Sequence, residues 1–240
     1  MSVFKAKIAT ARGVNSNDYY SDTLLEYLLV FLGKTPKIHS LLEIGTGRGY
    51  LSIILAKTYP SINRIIATDI DDKAVNLARK NIAINNLQEK VLVKKGSLFN
   101  PIKNQKFDFI VSCPPQMPLT RQDVQSLFPR VQRYHLTTSI GGKNGRSIVD
   151  KIISNARKYL LPGGTVCFVH SDIIGVEQSL EKLRAQKLRA RILGSKDKLL
   201  AETTLTRLSK QIIERTGYRF RKNDQNQEFF SIYVIVGIYD

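Results

Sequence analysis

The chain has 240 residues, 42% of them hydrophobic, and a formal net charge of +17. That is room for one large α/β domain with a sizeable core, and short for two domains. No apolar run reaches the roughly 18–20 residues needed to cross a bilayer, and the opening MSVFKAKIATARG is basic but lacks the apolar centre of a secretory signal.

Taken in order, strand and helix patterns alternate. SDTLLEYLLVFLG predicts a helix, with Ser21 or Asp22 as its N-cap and Gly33 as its stop. HSLLEI, from His39, reads as a short buried strand and GYLSIILAKTY as a helix. INRIIATDI is a strand, and DDKAVNLARKNIAINN is a helix with apolar Ala74, Val75, Leu77, Ala78, Ile82 and Ile84. EKVLVKK and FDFIVS are the next strands. GRSIVDKIISNARKYL is an amphipathic helix ended by an LPGG turn before the strand TVCFVH. VEQSLEKLRAQ, RARILG and AETTLTRLSKQIIERT then read as helix, strand and helix, and EFFSIYVIVGIY as a long terminal strand. Near-continuously apolar strands alternating with helices predict a parallel sheet covered on both faces. The expectation is a Rossmann-like α/β fold. Its seven-stranded, mostly parallel sheet carries helices on both faces and an antiparallel C-terminal edge strand. The domain is single, 1–240, with residues 1–38 as an N-terminal helical cap and 39–240 as the core.

In such sheets ligands bind beyond the carboxyl ends of the strands, and three loops leave those ends with unusual chemistry. In LLEIGTGRGYLS, Gly45, Gly47 and Gly49 follow a strand and open a helix, which suits a tight turn and close approach of a ligand to backbone amides. Their spacing differs from the dinucleotide fingerprint. Asp69 follows Gly45 by 24 residues, about the interval at which an acidic side chain accepts ribose hydroxyls, although Asp69 or Asp71 could instead cap the next helix.

Glu43, these glycines and Asp69 together resemble the class I S-adenosylmethionine-dependent methyltransferases over about Leu41 to Gly164. The resemblance implies S-adenosyl-L-methionine as cofactor. It lays the glycine loop, Gly45, Thr46, Gly47 and Gly49, under the methionine part, puts Asp69 on the ribose and Ile70, Ser97 and Leu98 on the adenine, and counts Glu43 and Ser112 among the cofactor-binding residues. The third loop, FDFIVSCPPQMP, is similar to the FDxIxxNPPY segment of amino-group methyltransferases. A Gly-Gly-x-Asn-Gly stretch, GGKNG from Gly141, and an Asp-Thr helix start at Asp22 match the same subgroup. That subgroup is the release-factor glutamine (HemK-like) methyltransferases and their relatives. Only about 40 residues precede the first strand, which is closer to the compact relatives.

By the resemblance, Cys113, Pro114, Pro115 and Gln116 form the catalytic loop. Cys113 stands where the subgroup has an asparagine, and Gln116 where it has an aromatic residue. A thiol is a weak donor and acceptor and cannot orient a planar amide as a carboxamide does. The expected acceptor is a nitrogen of a protein or RNA of the translation apparatus. The alternatives are a small molecule methylated on N, O or S through a diverged loop, and a non-catalytic binding module on the same fold. Other candidates for a substrate role are His135 and Tyr134, between the fourth strand and the next helix, and His170-Ser171-Asp172. Arg121, Arg130 and Arg133 with Phe128 suggest an anionic-substrate lip or a solvated lid. The segment 181–222 holds 13 Lys/Arg against 4 Asp/Glu and is a candidate nucleic-acid face. Cys113 and Cys167 form no metal pattern, so two reduced thiols in a cytoplasmic protein, with no metal and no membrane partner, complete the expectation.

Overall fold

A computed structural model describes residues 6–14, 19–35, 37–128, 137–200, 206 and 208–240. Tyr134, His135, Arg130 and Arg133 lie outside the described residues, as does most of the first half of the AETTLTRLSKQIIERT segment.

The first helix, α1, covers Tyr19–Leu32, and then β1 (Ser40–Ile44), α2 (Tyr50–Thr58), β2 (Arg64–Asp69), α3 (Asp72–Ile84), β3 (Val91–Lys95) and β4 (Phe107–Ser112) follow. After them come α4 (Arg121–Leu127), α5 (Ser147–Tyr159), β5 (Leu160–Ser171), α6 (Val176–Ala185), β6 (Arg189–Leu199), α7 (Ser209–Thr216), β7 (Arg221–Lys222) and β8 (Glu228–Ile238). The sheet runs β3-β2-β1-β4-β5-β8-β6, with β7 pairing to β8. The first five strands in that order are mutually parallel, and β8 is antiparallel to both β5 and β6. The expected class therefore holds, with two refinements. There are eight strands, the extra one being the two-residue β7. The antiparallel C-terminal strand lies one place in from the edge, with β6 outside it. Sequence order cannot reveal that insertion, which depends on which strand edge is open when the chain's end arrives.

The strands are apolar along their length because both faces are covered. Leu41, Leu42, Ile65, Ala67, Ile110, Val166 and Val236 are all 0% exposed. Two glycines show how closely the layers approach. A Cβ on Gly194 of β6 would stand 2.0 Å from the Tyr27 ring of α1, and one on Gly237 of β8 would stand 2.9 Å from Leu183 of α6. Gly194 pairs with Val234, three residues from Gly237, so the two positions face opposite sides of the sheet and α1 and α6 cover opposite faces.

Local chemistry sets the helix starts near the site. Asp71 is the N-cap of α3, accepting from the Lys73 amide, which leaves Asp69 free of that role. Asp22, expected as a cap, lies inside the first turn of α1, where its carboxylate accepts the Tyr50 hydroxyl at 2.6 Å instead. Among the described residues, no helix is long and apolar enough to cross a membrane.

Candidate active site

At the carboxyl end of β1 the chain turns through Gly45, Gly47 and Gly49, with φ of 77°, 55° and 82°. Side chains rarely adopt that region. The Gly45 and Thr46 amides both donate to the Thr68 carbonyl at the end of β2, at 2.8 and 2.9 Å. A Cβ at Gly45 or Gly47 would meet nothing within 4 Å, so the loop leaves an open cradle on its outer side, whereas Gly49 backs onto Ala78 of α3. Glu43 lies beneath the loop, 1% exposed. It accepts from the Thr46 hydroxyl at 2.7 Å and from the amide and hydroxyl of Ser52, tying the loop to α2. Burial pushes its carboxyl up to about 7 despite those donors.

Asp69 stands across the cradle at the end of β2. One oxygen accepts the Gly47 amide at 2.8 Å and the other the Asp71 amide at 3.0 Å. Burial raises its pKa, against the pull of those amides. The Ile70 amide also donates to this carboxylate, whose two oxygens still have capacity for a further donor. Ile70, next along, is 69% exposed, a large apolar side chain with nothing covering it. Ser97 and Leu98 border the same rim, both half-buried. Leu98 takes a positive φ of 50°, and its carbonyl accepts the Thr68 hydroxyl at 3.3 Å. Glu43, the glycines, Asp69, Ile70, Ser97 and Leu98 thus gather at the ends of three adjacent strands.

The Cys-Pro-Pro-Gln loop leaves β4 beside them. The buried Ser112 hydroxyl donates to the Ile44 carbonyl at 2.8 Å, fastening the loop's root to β1. Cys113 and Pro115 are half-buried and Pro114 is buried. Gln116 occupies an unexpected place. It is 7% exposed, and its amide is directed to backbone. Its oxygen accepts the Ser171 N–H at 2.5 Å, and its nitrogen reaches the carbonyls of Val169 and Pro114 at 3.3 and 3.4 Å. The side chain expected to stand in for a substrate-stacking aromatic ring anchors the loop to the end of β5. The Gly-Gly-x-Asn-Gly stretch packs behind it. Gly141 donates to the Met117 carbonyl at 2.8 Å, and a Cβ on Gly145 would stand 2.6 Å from the Gln116 carbonyl.

Tyr20, which the sequence reading passed over, lies at the start of α1. Burial pushes its hydroxyl pKa up, with the charges of Cys113 and Asp172 adding to the effect. His170 turns the other way. It is 0% exposed, its Nε2 is 2.7 Å from the Ser179 hydroxyl, and burial lowers its pKa to about 3. It is a neutral core residue, not a base for this site. Asp172 is occupied by the Ser231 amide and Arg221. Phe128 is 2% exposed and packs into the core rather than forming a lip with Arg121.

Two further points bound the site. Within 181–222, Lys182, Arg184, Arg189, Lys196, Arg215 and Arg221 form ion pairs inside the chain. Much of the stretch's charge is therefore neutralised locally. A cleft of about 570 Å³ lined by Lys106, Arg157, Tyr159 and Tyr239 lies at the amino-terminal end of the strands, away from the glycine loop. Among the described residues no cluster of His, Cys, Asp and Glu is suited to a metal ion.

The methyltransferase small domain family matches residues 5–131. A release factor glutamine methyltransferase of Aliivibrio fischeri is 36% identical over 165 residues, covering 68% of this chain and 54% of that protein. A relative from Methanocaldococcus jannaschii, whose name describes a protein N5-glutamine methyltransferase, is 32% identical over 148 residues, covering 62% of this chain and 70% of that protein. The chain thus spans about half the length of the first and over two thirds of the second. Among solved structures, a methyltransferase from Pyrococcus furiosus has a TM-score of 0.57 at 17% identity, covering 99% of this chain and 91% of that one, which is a likeness of fold.

Proposed function

This chain belongs to the methyltransferase small domain family, and we propose that it is an S-adenosyl-L-methionine-dependent methyltransferase. The acceptor we assign is a side-chain amide nitrogen of a glutamine in a protein of the translation apparatus, the kind of acceptor named for its relatives. One domain, 1–240, carries the activity, and the protein works in the cytoplasm.

The observation that carries this reading is the cradle itself. Open space over Gly45 and Gly47, the Asp69 carboxylate and the uncovered Ile70 face one another at adjoining strand ends, with the Cys113-Pro-Pro-Gln116 loop beside them. The residues fit the cofactor. Asp69 accepts the ribose hydroxyls, Ile70 with Ser97 and Leu98 borders the adenine, and the glycine loop admits the amino-acid end against its backbone. When bound, S-adenosylmethionine supplies a methyl group activated on a sulfonium sulfur.

The chain's own contribution is alignment and exclusion of water, which suffices for an in-line displacement. The Cys113 carbonyl accepts an N–H of the acceptor amide, the role a carboxamide takes in the relatives. The prolines hold that carbonyl in place, and Gln116 holds the prolines. Transfer would form the N–CH3 bond as the sulfonium S–CH3 bond breaks, with the thioether S-adenosylhomocysteine as leaving group, and the displaced amide proton would pass to bulk solvent when the products leave. The Cys113 thiol lines the site and forms no covalent bond to the substrate.

The test is incubation of the purified protein with isotopically labelled S-adenosylmethionine and separately purified release factors, ribosomal proteins and ribosomal RNA, followed by peptide mass spectrometry. Label on a glutamine side chain is the expected result. Label in RNA or in a small molecule alone would overturn the acceptor assignment, and no binding of cofactor would overturn the enzyme assignment.

A further inference from the structure

Asn81 lies inside α3, 0% exposed. Asparagine is a poor residue for a helix interior, and a buried carboxamide is stable only when its donors and acceptor are matched. Its oxygen accepts the Ala9 N–H at 2.9 Å, and its nitrogen donates to the Ala9 carbonyl at 3.1 Å and to the Arg48 carbonyl at 2.9 Å. One turn on, Asn85 repeats the first half of the pattern. Its oxygen accepts the Lys7 N–H at 3.2 Å and its nitrogen donates to the Lys7 carbonyl at 2.7 Å. Two asparagines at i and i+4 share a helix face, and here they grip the backbone of residues 7–9 much as a neighbouring strand would. Toward the start of α3, Val14 packs with Ala74 and Leu77, so this N-terminal strap follows the helix along its length.

Asn81 differs from Asn85 in the third bond. The Arg48 carbonyl belongs to the Arg48–Gly49 peptide, and the glycines on either side of Arg48, Gly47 and Gly49, are both at positive φ. Ala78, one turn earlier on the same face of α3, is the residue against which Gly49 packs. The three glycines have no side chains to fix their peptide planes, and φ and ψ at glycine are soft. A buried amide holding the Arg48 carbonyl removes that freedom. It also fixes the neighbouring Gly47, whose N–H donates to Asp69.

We propose that Asn81 is a positioning residue for the cofactor pocket, joining the N-terminal strap to the back of the glycine loop and holding that loop ready for its ligand. The inference rests on the cofactor assignment above but adds a residue outside the cofactor's own contacts. Asn81→Ala should weaken binding of S-adenosylhomocysteine, measured by titration calorimetry, about tenfold, the size of one lost buried hydrogen bond. It should raise KM for S-adenosylmethionine while leaving kcat at saturating cofactor and KM for the acceptor unchanged. Asn85→Ala, which removes bonds to the strap and to the Asn81 carbonyl but none to the glycine loop, should keep affinity within about twofold.

The outcomes separate the two claims. If the wild-type protein does not bind S-adenosylhomocysteine, the cofactor assignment fails and this one with it. If the wild type binds and folded Asn81→Ala binds equally well, or if acceptor KM and kcat shift as much as cofactor KM, the positioning role alone is overturned. Should Asn81→Ala not fold, Asn81→Ser takes its place, and a loss of less than about threefold in the folded protein overturns the proposal.

Discussion

Replacing Gln116 by tyrosine would restore the aromatic residue of the Asn-Pro-Pro-Tyr relatives, and sequence resemblance alone would favour the change. The structure predicts the opposite. The Gln116 side chain is 7% exposed and its oxygen is the acceptor for the Ser171 N–H at 2.5 Å. A phenol ring leaves that buried amide without a partner, at about 1–3 kcal/mol. The slot is also tight, because a Cβ on Gly141 would already stand 2.7 Å from the Gln116 α carbon. Forcing a larger side chain into such a slot adds about 1–3 kcal/mol of strain. The two bonds to Val169 and Pro114, at 3.3 and 3.4 Å, are too long to add much. Gln116→Tyr should therefore lose about 2–6 kcal/mol, read as a lower urea midpoint at constant slope by circular dichroism. Cys113→Asn, at a half-buried position, should stay within about 1 kcal/mol of wild type. A Gln116→Tyr protein as stable as wild type, with faster methyl transfer, would show that Gln116 faces the substrate and that its backbone contacts are incidental.

Three further outcomes follow from the geometry. Burial holds the Glu43 carboxyl at about 7, against 4.5 for the free side chain. Between those values the folded chain keeps a proton the unfolded chain gives up. This group therefore favours folding in acid, and its contribution falls by about 3 kcal/mol as pH rises from about 4.5 to about 7. Glu43→Gln cannot ionise and should flatten that part of the stability–pH curve, so equal declines in both proteins would contradict the reasoning. Asp69→Ala should abolish the thermal shift produced by S-adenosylhomocysteine, because the carboxylate both holds the Gly47 amide and faces the cradle. An undiminished shift would remove Asp69 from the site. Arg215 forks onto Asp123 with bonds of 2.8 and 2.7 Å and reaches the Pro118 carbonyl at 3.0 Å, joining α7 to the segment that follows the Cys113–Gln116 loop. Arg215→Ala should cost about 2 kcal/mol in urea unfolding, and its effect should be strongly non-additive with Asp123→Ala. Simple additivity would mean the fork contributes nothing.

The sequence by itself determined what depends on near neighbours. Alternating strand and helix patterns reported the α/β class because the periods of 2 and 3.6 are local properties of the chain. The three glycines after LLEI reported a left-handed turn because only a residue without a Cβ adopts it freely, and φ is positive at all three. Asp69 and the Cys-Pro-Pro-Gln loop were legible because each directly follows an apolar strand, which puts it at the carboxyl end of the sheet.

Only the tertiary structure decided what depends on partners far away in the chain. The place of β8 between β5 and β6 could not be read, because strand order is set by edges that close over long separations. The net charge of 181–222 could be counted in the sequence, but not which of its cations are paired: Lys196 meets Glu26 and Arg215 meets Asp123, each far off in sequence. Gln116 looked like a substrate residue from its position in a motif, and became an anchor because Ser171, 55 residues later, brings a buried N–H that needs an acceptor. Asn81 gave no signal at all, since the backbone groups it satisfies, at Ala9 and Arg48, lie 72 and 33 residues away. A buried polar group must find its partner wherever the fold places one, and local sequence does not encode that place.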